Sequence, residues 1–325
     1  MVRLISMKMM ICIDLGGTNL RVALGSSEGR IFSRIMERID KSSGSKGIIR
    51  QILRMIHSLE KTSDRIECVN VAAAGPLNLK DGSIVNSPHF KFKNIPIVKP
   101  LEDALGVPVH FVNDCVAGVI GEKEFGAGRR CSNIVYVTLS SGIGAGVFVD
   151  NHLLMGKDGN AHEVGHITID HSGMLTCGCG CKGHWEAYCG GDAAANFIKL
   201  QLESKPRKDV EASQLYRISG GNLNMLSSRD LFESAKNGDR LALGIVRNMG
   251  RLNAIGFANI VNAYDPELIT VGGAIAISNP NLVLGPVKRL IRQYSINRVP
   301  RIMLTRLGED SVLYGSLKLS HYLER

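Results

Sequence analysis

Apolar side chains run or alternate over 9–14, 19–25 and 29–37, separated by Gly-Gly-Thr and Ser-Ser-Glu-Gly. That pattern predicts a β-meander at the start of the chain. A Ser/Gly-rich break at 42–47 precedes Ile48, Ile49, Ile52, Leu53, Ile56 and Leu59 at helical spacing, and Ile66 to Ala73 then reads as a buried strand. The order is β, α, β. Gly75-Pro76, Asp81-Gly82 and Pro96 mark a long loop region, followed by a short helix near 99–105, a strand over 107–112 and a helix over 115–125. A second hairpin comes next, with strand 134–139, the turn Ser140-Ser141-Gly142 and strand 143–150. It repeats the design of residues 9–25.

The remainder holds a Cys/His/Gly-rich segment at 159–191, helices near 192–203 and 229–237, and a long helix over 240–263. A strand over 268–271 leads into Gly272-Gly273, and a helix near 281–293, a strand over 301–305 and a C-terminal helix from Ser311 close the chain. Two α/β lobes, each opening with a strand-glycine-strand hairpin, fit this order better than one continuous sheet, with a cleft between lobes as the natural active site.

Composition narrows the class. With 325 residues, 44% apolar and 21% charged, the chain suits a soluble globular protein with room for two domains of about 150 residues. Disorder and collagen-like repeats are excluded. The most apolar region, 134–149, is broken by Ser140, Ser141 and three glycines, so no membrane span is expected. Arg3 and Lys8 ahead of Met9 to Ile13 faintly resemble a signal peptide, but Asp14 ends the apolar run too early. The segment reads as a buried strand of a cytoplasmic protein. Of the eight cysteines, Cys177, Cys179 and Cys181 crowd together, which favours metal over disulfide. The net charge is +9, and Lys288, Arg289, Arg292, Arg298, Arg301 and Arg306 lie in a stretch without an acid, 268–308. Such a face suits nucleotide or nucleic acid, yet only Tyr294 interleaves with the charges, so a solvated basic surface and no nucleic-acid partner is the expectation.

Asp14-Leu15-Gly16-Gly17-Thr18-Asn19 lies at the first hairpin tip, where glycines let backbone N–H groups approach a phosphate and Thr18 adds a hydroxyl. Ser140-Ser141-Gly142-Ile143-Gly144-Ala145-Gly146 repeats that equipment. Asp114 follows a strand and opens a helix, a position that suits either an N-cap or a catalytic base. Glu163 and His166, three apart on a helical turn, would share a face and could bind vicinal hydroxyls.

Asp14-Leu15-Gly16-Gly17-Thr18, Asn113-Asp114, Glu163-Val164-Gly165-His166 and Cys177-x-Cys179-Gly180, in that order over most of the chain, resemble the ROK (repressor, open reading frame, kinase) family of sugar kinases. The resemblance implies an α/β, two-lobed actin-like ATPase (ribonuclease H-like) fold whose lobes close on ATP and a sugar, with Mg²⁺ at the phosphates. The lobes are expected at 1–113, joined by a C-terminal helix over 309–325, and at 114–308. Asp114 becomes the base that takes the proton of the sugar 6-hydroxyl. Asn113, Glu163, His166 and Glu186 hold the sugar, with Gly75 and Asn86 completing the pocket. Gly16, Gly17, Thr18 and Asn19, with Ser140, Ser141, Gly142 and Gly144, cradle phosphate. Gly272 and Gly273 form the adenosine turn, and Asp14 holds Mg²⁺ through water.

Two departures stand out. Where the family has Asn after a proline, this chain reads Ser87-Pro88-His89, and His89 would donate to a sugar hydroxyl with a bulkier group than a carboxamide. The family's Cys-x-Cys-Gly-x-x-Gly-Cys-x-Glu has its last cysteine replaced by His184. Imidazole and thiolate both bind Zn²⁺, so His166, Cys177, Cys179 and His184 can hold a structural zinc, with Cys181 the alternative fourth ligand. His166 would then put one ring nitrogen on the metal and aim the other at the sugar.

The expected activity is phosphorylation of glucose or hexoses broadly, since Cys179-Gly180-x-x-Gly183-His184-Trp185-Glu186-Ala187-Tyr188 is similar to archaeal hexokinases of the family. An N-acetylhexosamine kinase, acting on N-acetylmannosamine or N-acetylglucosamine, is the alternative. The family's sugar-sensing repressors carry a helix-turn-helix ahead of the first motif, whereas thirteen residues precede Asp14 here. Members are commonly dimers or tetramers, so a homo-oligomer is expected, with the helix at 240–263 as a candidate interface.

Overall fold

The computed structural model describes residues 8–59, 65–85 and 94–324. In chain order the elements are β1 (Met9–Leu15), β2 (Asn19–Ser26), β3 (Ile31–Arg38), α1 (Gly44–His57), β4 (Ile66–Ala73), β5 (Leu77–Asn78), β6 (Ser83–Val85), β7 (Asn94–Pro96), α2 (Val98–Leu105), β8 (Val109–Asn113) and α3 (Asp114–Glu124). Then come β9 (Ile134–Leu139), β10 (Ile143–Val149), β11 (His152–Leu153), α4 (Trp185–Cys189), α5 (Ala194–Glu203), α6 (Arg207–Ala212), α7 (Gln214–Ile218), α8 (Ser228–Lys236) and α9 (Arg240–Tyr264). Last are β12 (Leu268–Gly272), α10 (Ala274–Ser278), α11 (Pro280–Leu290), β13 (Arg301–Leu304), α12 (Ser311–Ser316) and α13 (Leu319–Leu323). No helix among the described residues is long and apolar enough to cross a membrane.

The chain divides into two compact units. One comprises Met1–Cys131, Gly146–His162 and Arg306–Arg325, and the other Ser132–Ala145 and Glu163–Thr305. This differs from the boundary expected after Asn113. Helix α3 stays with the first unit because it packs backbone to backbone on α12. A Cβ built on Gly315 would collide with the Ala117 carbonyl oxygen, and one on Gly121 with the Ser311 carbonyl oxygen. Contact this close needs a glycine on both helices. Gly315→Ala is therefore expected to cost about 3 kcal/mol, at the upper end for an overpacked core, because rigid backbone must move. The midpoint of urea unfolding measures it.

The first unit's main sheet runs β3-β2-β1-β4-β8. Strands β1, β2 and β3 form the antiparallel meander, and β4 and β8 add in parallel to β1. Every residue of β1 is buried, which explains its unbroken Met-Met-Ile-Cys-Ile-Asp-Leu run. Met9, Ile11, Ile13 and Leu15 enter the core with Ile48, Ile52 and Leu101 of α1 and α2. Met10 and Cys12 point to the opposite face, against Leu313 and Leu317. Asp14 continues this second face by the two-residue period of a strand.

The parallel register aligns Leu15 with Ala73 and Ala73 with Asn113. The ends of three strands thus form one row, from which Gly16-Gly17, Ala74-Gly75 and Asp114 emerge. Carboxyl ends of parallel strands are where α/β sheets present ligand-binding groups. In the other main sheet, β11-β10-β9-β12-β13, Thr138 pairs with Gly272 in parallel, so Ser140 and Gly273 emerge beside each other.

Three details depart from the sequence reading. The region over 75–96 contains a small β5-β6-β7 sheet rather than loop alone. The C-terminal helix is broken into α12 and α13, with the chain tightening where the Lys318 N–H donates to the Gly315 carbonyl three residues back. Helices α6 and α7 lie in a stretch where no helix was expected. They bury only Leu215, so they carry no apolar stripe to read.

Candidate active site

Asp14 is nearly buried at the end of β1, directly across the hairpin from Arg21. The Arg21 Nη1 donates to Asp14 Oδ2 at 2.9 Å, and the same guanidinium reaches the carbonyl and carboxylate oxygens of Glu309 at 3.1 and 3.2 Å. Burial pushes the Asp14 carboxyl up to about 6, Arg21 pulls it back, and Asp114 and Asp310 add repulsion. A second cation beside Asp14 would relieve this strain. Linkage gives the sign for stability. Between the ordinary value near 4 and about 6, the folded chain keeps a proton that the unfolded chain releases, so Asp14 favours folding below this window and loses that contribution as pH rises through about 6. In metal-free protein, Asp14→Asn should gain stability over the wild type at pH 7.5, with a smaller difference at pH 5, as read by urea unfolding.

The turn after β1 is closed by the Gly16 N–H on the Asn19 carbonyl at 3.0 Å, which leaves Thr18 and Asn19 exposed at the tip. Beyond β8, the cap of α3 is Asn113, whose Oδ1 accepts the Cys115 N–H at 2.8 Å. Its side-chain N–H groups point elsewhere by geometry of the carboxamide. Asp114 is the first helical residue, half-buried, and its Oδ1 lies 2.9 Å from the same N–H. The capping role that the sequence left open at Asp114 thus belongs chiefly to Asn113. Gly75 sits just past β4 in the row of strand ends. Asn86 and His89 lie outside the described residues.

In the second unit, a 3₁₀ turn over Val164–His166 brings Glu163 and His166 to one side, with His166 Nε2 3.6 Å from Glu163 Oε2. The other ring nitrogen, Nδ1, lies 3.3 Å from His184 Nδ1 and 3.7 Å from Cys177 Sγ. Cys179 Sγ is 3.3 Å from His184 Nδ1. The ligand atoms of His166, Cys177, Cys179 and His184 all fall within 4.8 Å of one another, while Cys181 stands outside this group, exposed beside Cys179. A tetrahedral zinc at about 2.0–2.3 Å separates its ligands by about 3.3–3.8 Å. His166 to His184, His166 to Cys177 and Cys179 to His184 already stand at that spacing, and the whole set needs only a small inward shift to close on one ion. Burial pushes the Cys177 thiol up to about 12, and burial with the His166 ring lowers His184 and keeps it neutral. The lowered imidazole suits a metal ligand, whereas the raised thiol means that a bound metal must displace its proton.

Glu186 lies in the first turn of α4. Its Oε2 accepts the N–H of Ile143, the first residue of β10 after the Ser140-Ser141-Gly142 turn, at 2.7 Å, and its Oε1 is 3.7 Å from Cys177 Sγ. A Cβ on Gly142 would collide with this carboxylate. Glycine there leaves the carboxylate its place.

The ROK family model matches residues 10–322 of this chain. The chain belongs to the ROK family. A glucokinase from Pyrobaculum calidifontis is 34% identical over 309 residues, spanning 95% of this chain and 94% of its own length. One from Thermotoga maritima is 30% identical, spanning 95% and 96%. The crystal structure of a ROK family glucokinase from Streptomyces griseus in complex with glucose and AMPPNP matches with a TM-score of 0.79 at 28% identity, covering 96% of this chain and 98% of that one.

The two α/β units are accordingly the lobes of the actin-like ROK fold. Within the first, the structure gathers Asp14, Gly16, Gly17, Gly75, Asn113 and Asp114 at one sheet end. Within the second, it gathers the Ser140 turn, Gly272-Gly273, Glu186 and the Cys/His cluster. Arg21 was missed by the sequence reading, although a hairpin with its turn at Gly16-Gly17 sets Asp14 opposite Arg21 and so offered a signal. The contact of Glu186 with Ile143 had no local signal.

Proposed function

We propose that this ROK protein is an ATP-dependent hexokinase that transfers the γ-phosphoryl group to the 6-hydroxyl of a hexose, glucose first among them. The observation that carries the reading is the full-length likeness to curated glucokinases at up to 34% identity, joined to an intact Asn113-Asp114 pair at the end of a parallel strand.

Asp114 accepts the proton as the hexose O6 attacks the γ-phosphorus, and the bond from that phosphorus to the β,γ-bridging oxygen breaks to leave ADP. Asn113 offers its side-chain N–H to a neighbouring hydroxyl while its oxygen caps α3. Glu163 and the Nε2 side of His166 hold two further hydroxyls, and Glu186 a third. The Gly16-Gly17 turn with Thr18 and Asn19 and the Ser140-Ser141-Gly142 turn with Gly144 face the phosphates, the Gly16 and Ser140 N–H groups closing the turns themselves, and Gly272-Gly273 makes room for adenosine.

Asp14 fits a Mg²⁺ held through water, since its carboxylate lies at a strand end beside Asp114 and Asp310 with Arg21 as its ion-pair partner. That ion would supply charge neutralisation at the transferred phosphoryl. His166, Cys177, Cys179 and His184 would hold zinc, which would fix the loop and the His166 ring orientation.

The test is ADP release with Mg-ATP against glucose, mannose, fructose, N-acetylglucosamine, N-acetylmannosamine and no sugar. Release with glucose above the no-sugar rate supports the reading. Release with an N-acetylated sugar alone transfers it to the N-acetylhexosamine class, and release with none overturns it.

A further inference from the structure

We propose that Glu186 is a positioning residue that couples the zinc cluster to the phosphate-binding turn, so that metal loading orders the ATP side of the reaction. The proposal rests on the reading of residues 140–144 as that turn.

Helix α4 is short and firmly anchored. Trp185 is fully buried, its Nε1 donates to Asn253 Oδ1 at 2.9 Å, and its ring occupies the space a side chain at Gly256 would need. At the amino end of α4 stands His184, a member of the cluster. At the carboxyl end the chain grips the turn. The Gly191 N–H donates to the Ser140 carbonyl at 2.8 Å and the Asp192 N–H to the Ser141 carbonyl at 2.9 Å. Glu186 completes the clamp from the side, with Oε2 on the Ile143 N–H at 2.7 Å and Oε1 beside Cys177.

The turn is thus held at three backbone groups by one five-residue helix and its exit. Trp185 fixes the body of that helix, and at its amino end His184 ties the approach of Glu186 to the Cys/His cluster. The loop between Ile167 and His184 buries little besides Cys177 and Gly183, so beyond its hydrogen bonds an ion is the restraint that would tie Cys177, Cys179 and His184 together. Releasing the ion frees His184 and Cys177 together, and the carboxylate between them and the turn loses its fixed approach. Gly142 keeps that approach open, because any side chain there would displace the carboxylate.

Amide hydrogen exchange over residues 140–144 tests this on whole protein, with zinc content measured in the same samples. Removing zinc with a selective chelator should speed exchange there about tenfold in the wild type. The affinity for a non-hydrolysable ATP analogue, measured without sugar, should weaken by a similar factor. Glu186→Ala should exchange fast already and respond little to the chelator. Glu186→Gln, read without sugar, should keep the wild-type exchange and chelator response, because its carboxamide oxygen still accepts the Ile143 N–H. Gly142→Ala gives a second route to the uncoupled state without altering Glu186. Unchanged exchange in the chelated wild type overturns the proposal, as does a full chelator response in Glu186→Ala. Exchange coupling in a protein that binds no ATP analogue would instead overturn the phosphate reading of the turn and leave the coupling standing.

Discussion

Asp114→Asn is expected to lower the turnover number by about 10³-fold or more while leaving the dissociation constant for glucose within a few-fold of the wild type. General-base catalysis alone contributes about 10²–10⁴, so this loss, about 4 kcal/mol of barrier, belongs to one proton transfer. The substitution is nearly isosteric and keeps an oxygen that can accept the Cys115 N–H, and Asn113 still caps α3, so the helix start survives. Binding persists because the other hydroxyl partners are untouched. Isothermal titration with glucose and a coupled ADP assay on the same preparation separate the two effects. Near-normal turnover would sink the base assignment. Loss of glucose binding in step with turnover would make Asp114 a holding group instead.

What the sequence reveals follows from where each restraint comes from. Strand β1 reads as buried because both of its faces are covered, so its whole length is apolar apart from Asp14. Helices α1 and α9 read as helices because one face of each repeats apolar residues into a core. The row of strand ends carrying Gly16, Gly75 and Asp114 follows from parallel order, which alternation of strand and helix already implies. Helices α6 and α7 escape because they bury almost nothing. The division of the chain escapes because the α3–α12 contact joins Ala117 and Gly121 to Ser311 and Gly315, and spacing along a chain says nothing of such pairs. Glu186 was legible as a polar group near cysteines, but its contact with Ile143 arises only when α4 docks on α9 and carries it there. The metal set lay between these cases. Spacing brought Cys177, Cys179, Cys181 and His184 together but could not choose among them, and the loop's hairpin-like turn, with Cys177 N–H on the Cys181 carbonyl, now sets Cys181 outside the group.

An effect on both stability and sugar binding is expected at that cluster. Residues 167–184 are held by backbone bonds, including Trp185 N–H to Ile167 and Gly183 N–H to Leu175, and by Asp170 and Tyr188, while most of their side chains face solvent. A loop with so little buried apolar area gains little to offset its ordering entropy, and a zinc bound as proposed would add to that gain. The double variant Cys177→Ser, Cys179→Ser should carry no zinc by elemental analysis, melt several degrees lower, and raise the KM for glucose about 10–100-fold, because His166 and Glu186 lose their setting. The single variants divide the ligands. His184→Ala should lose zinc, whereas His184→Cys should keep it, since a thiolate suits the same tetrahedron. Cys181→Ser should keep both zinc and melting temperature. Zinc retained in His184→Ala but lost in Cys181→Ser would reverse the choice of fourth ligand, and an unaltered glucose KM in the zinc-free double variant would separate the metal from the sugar site altogether.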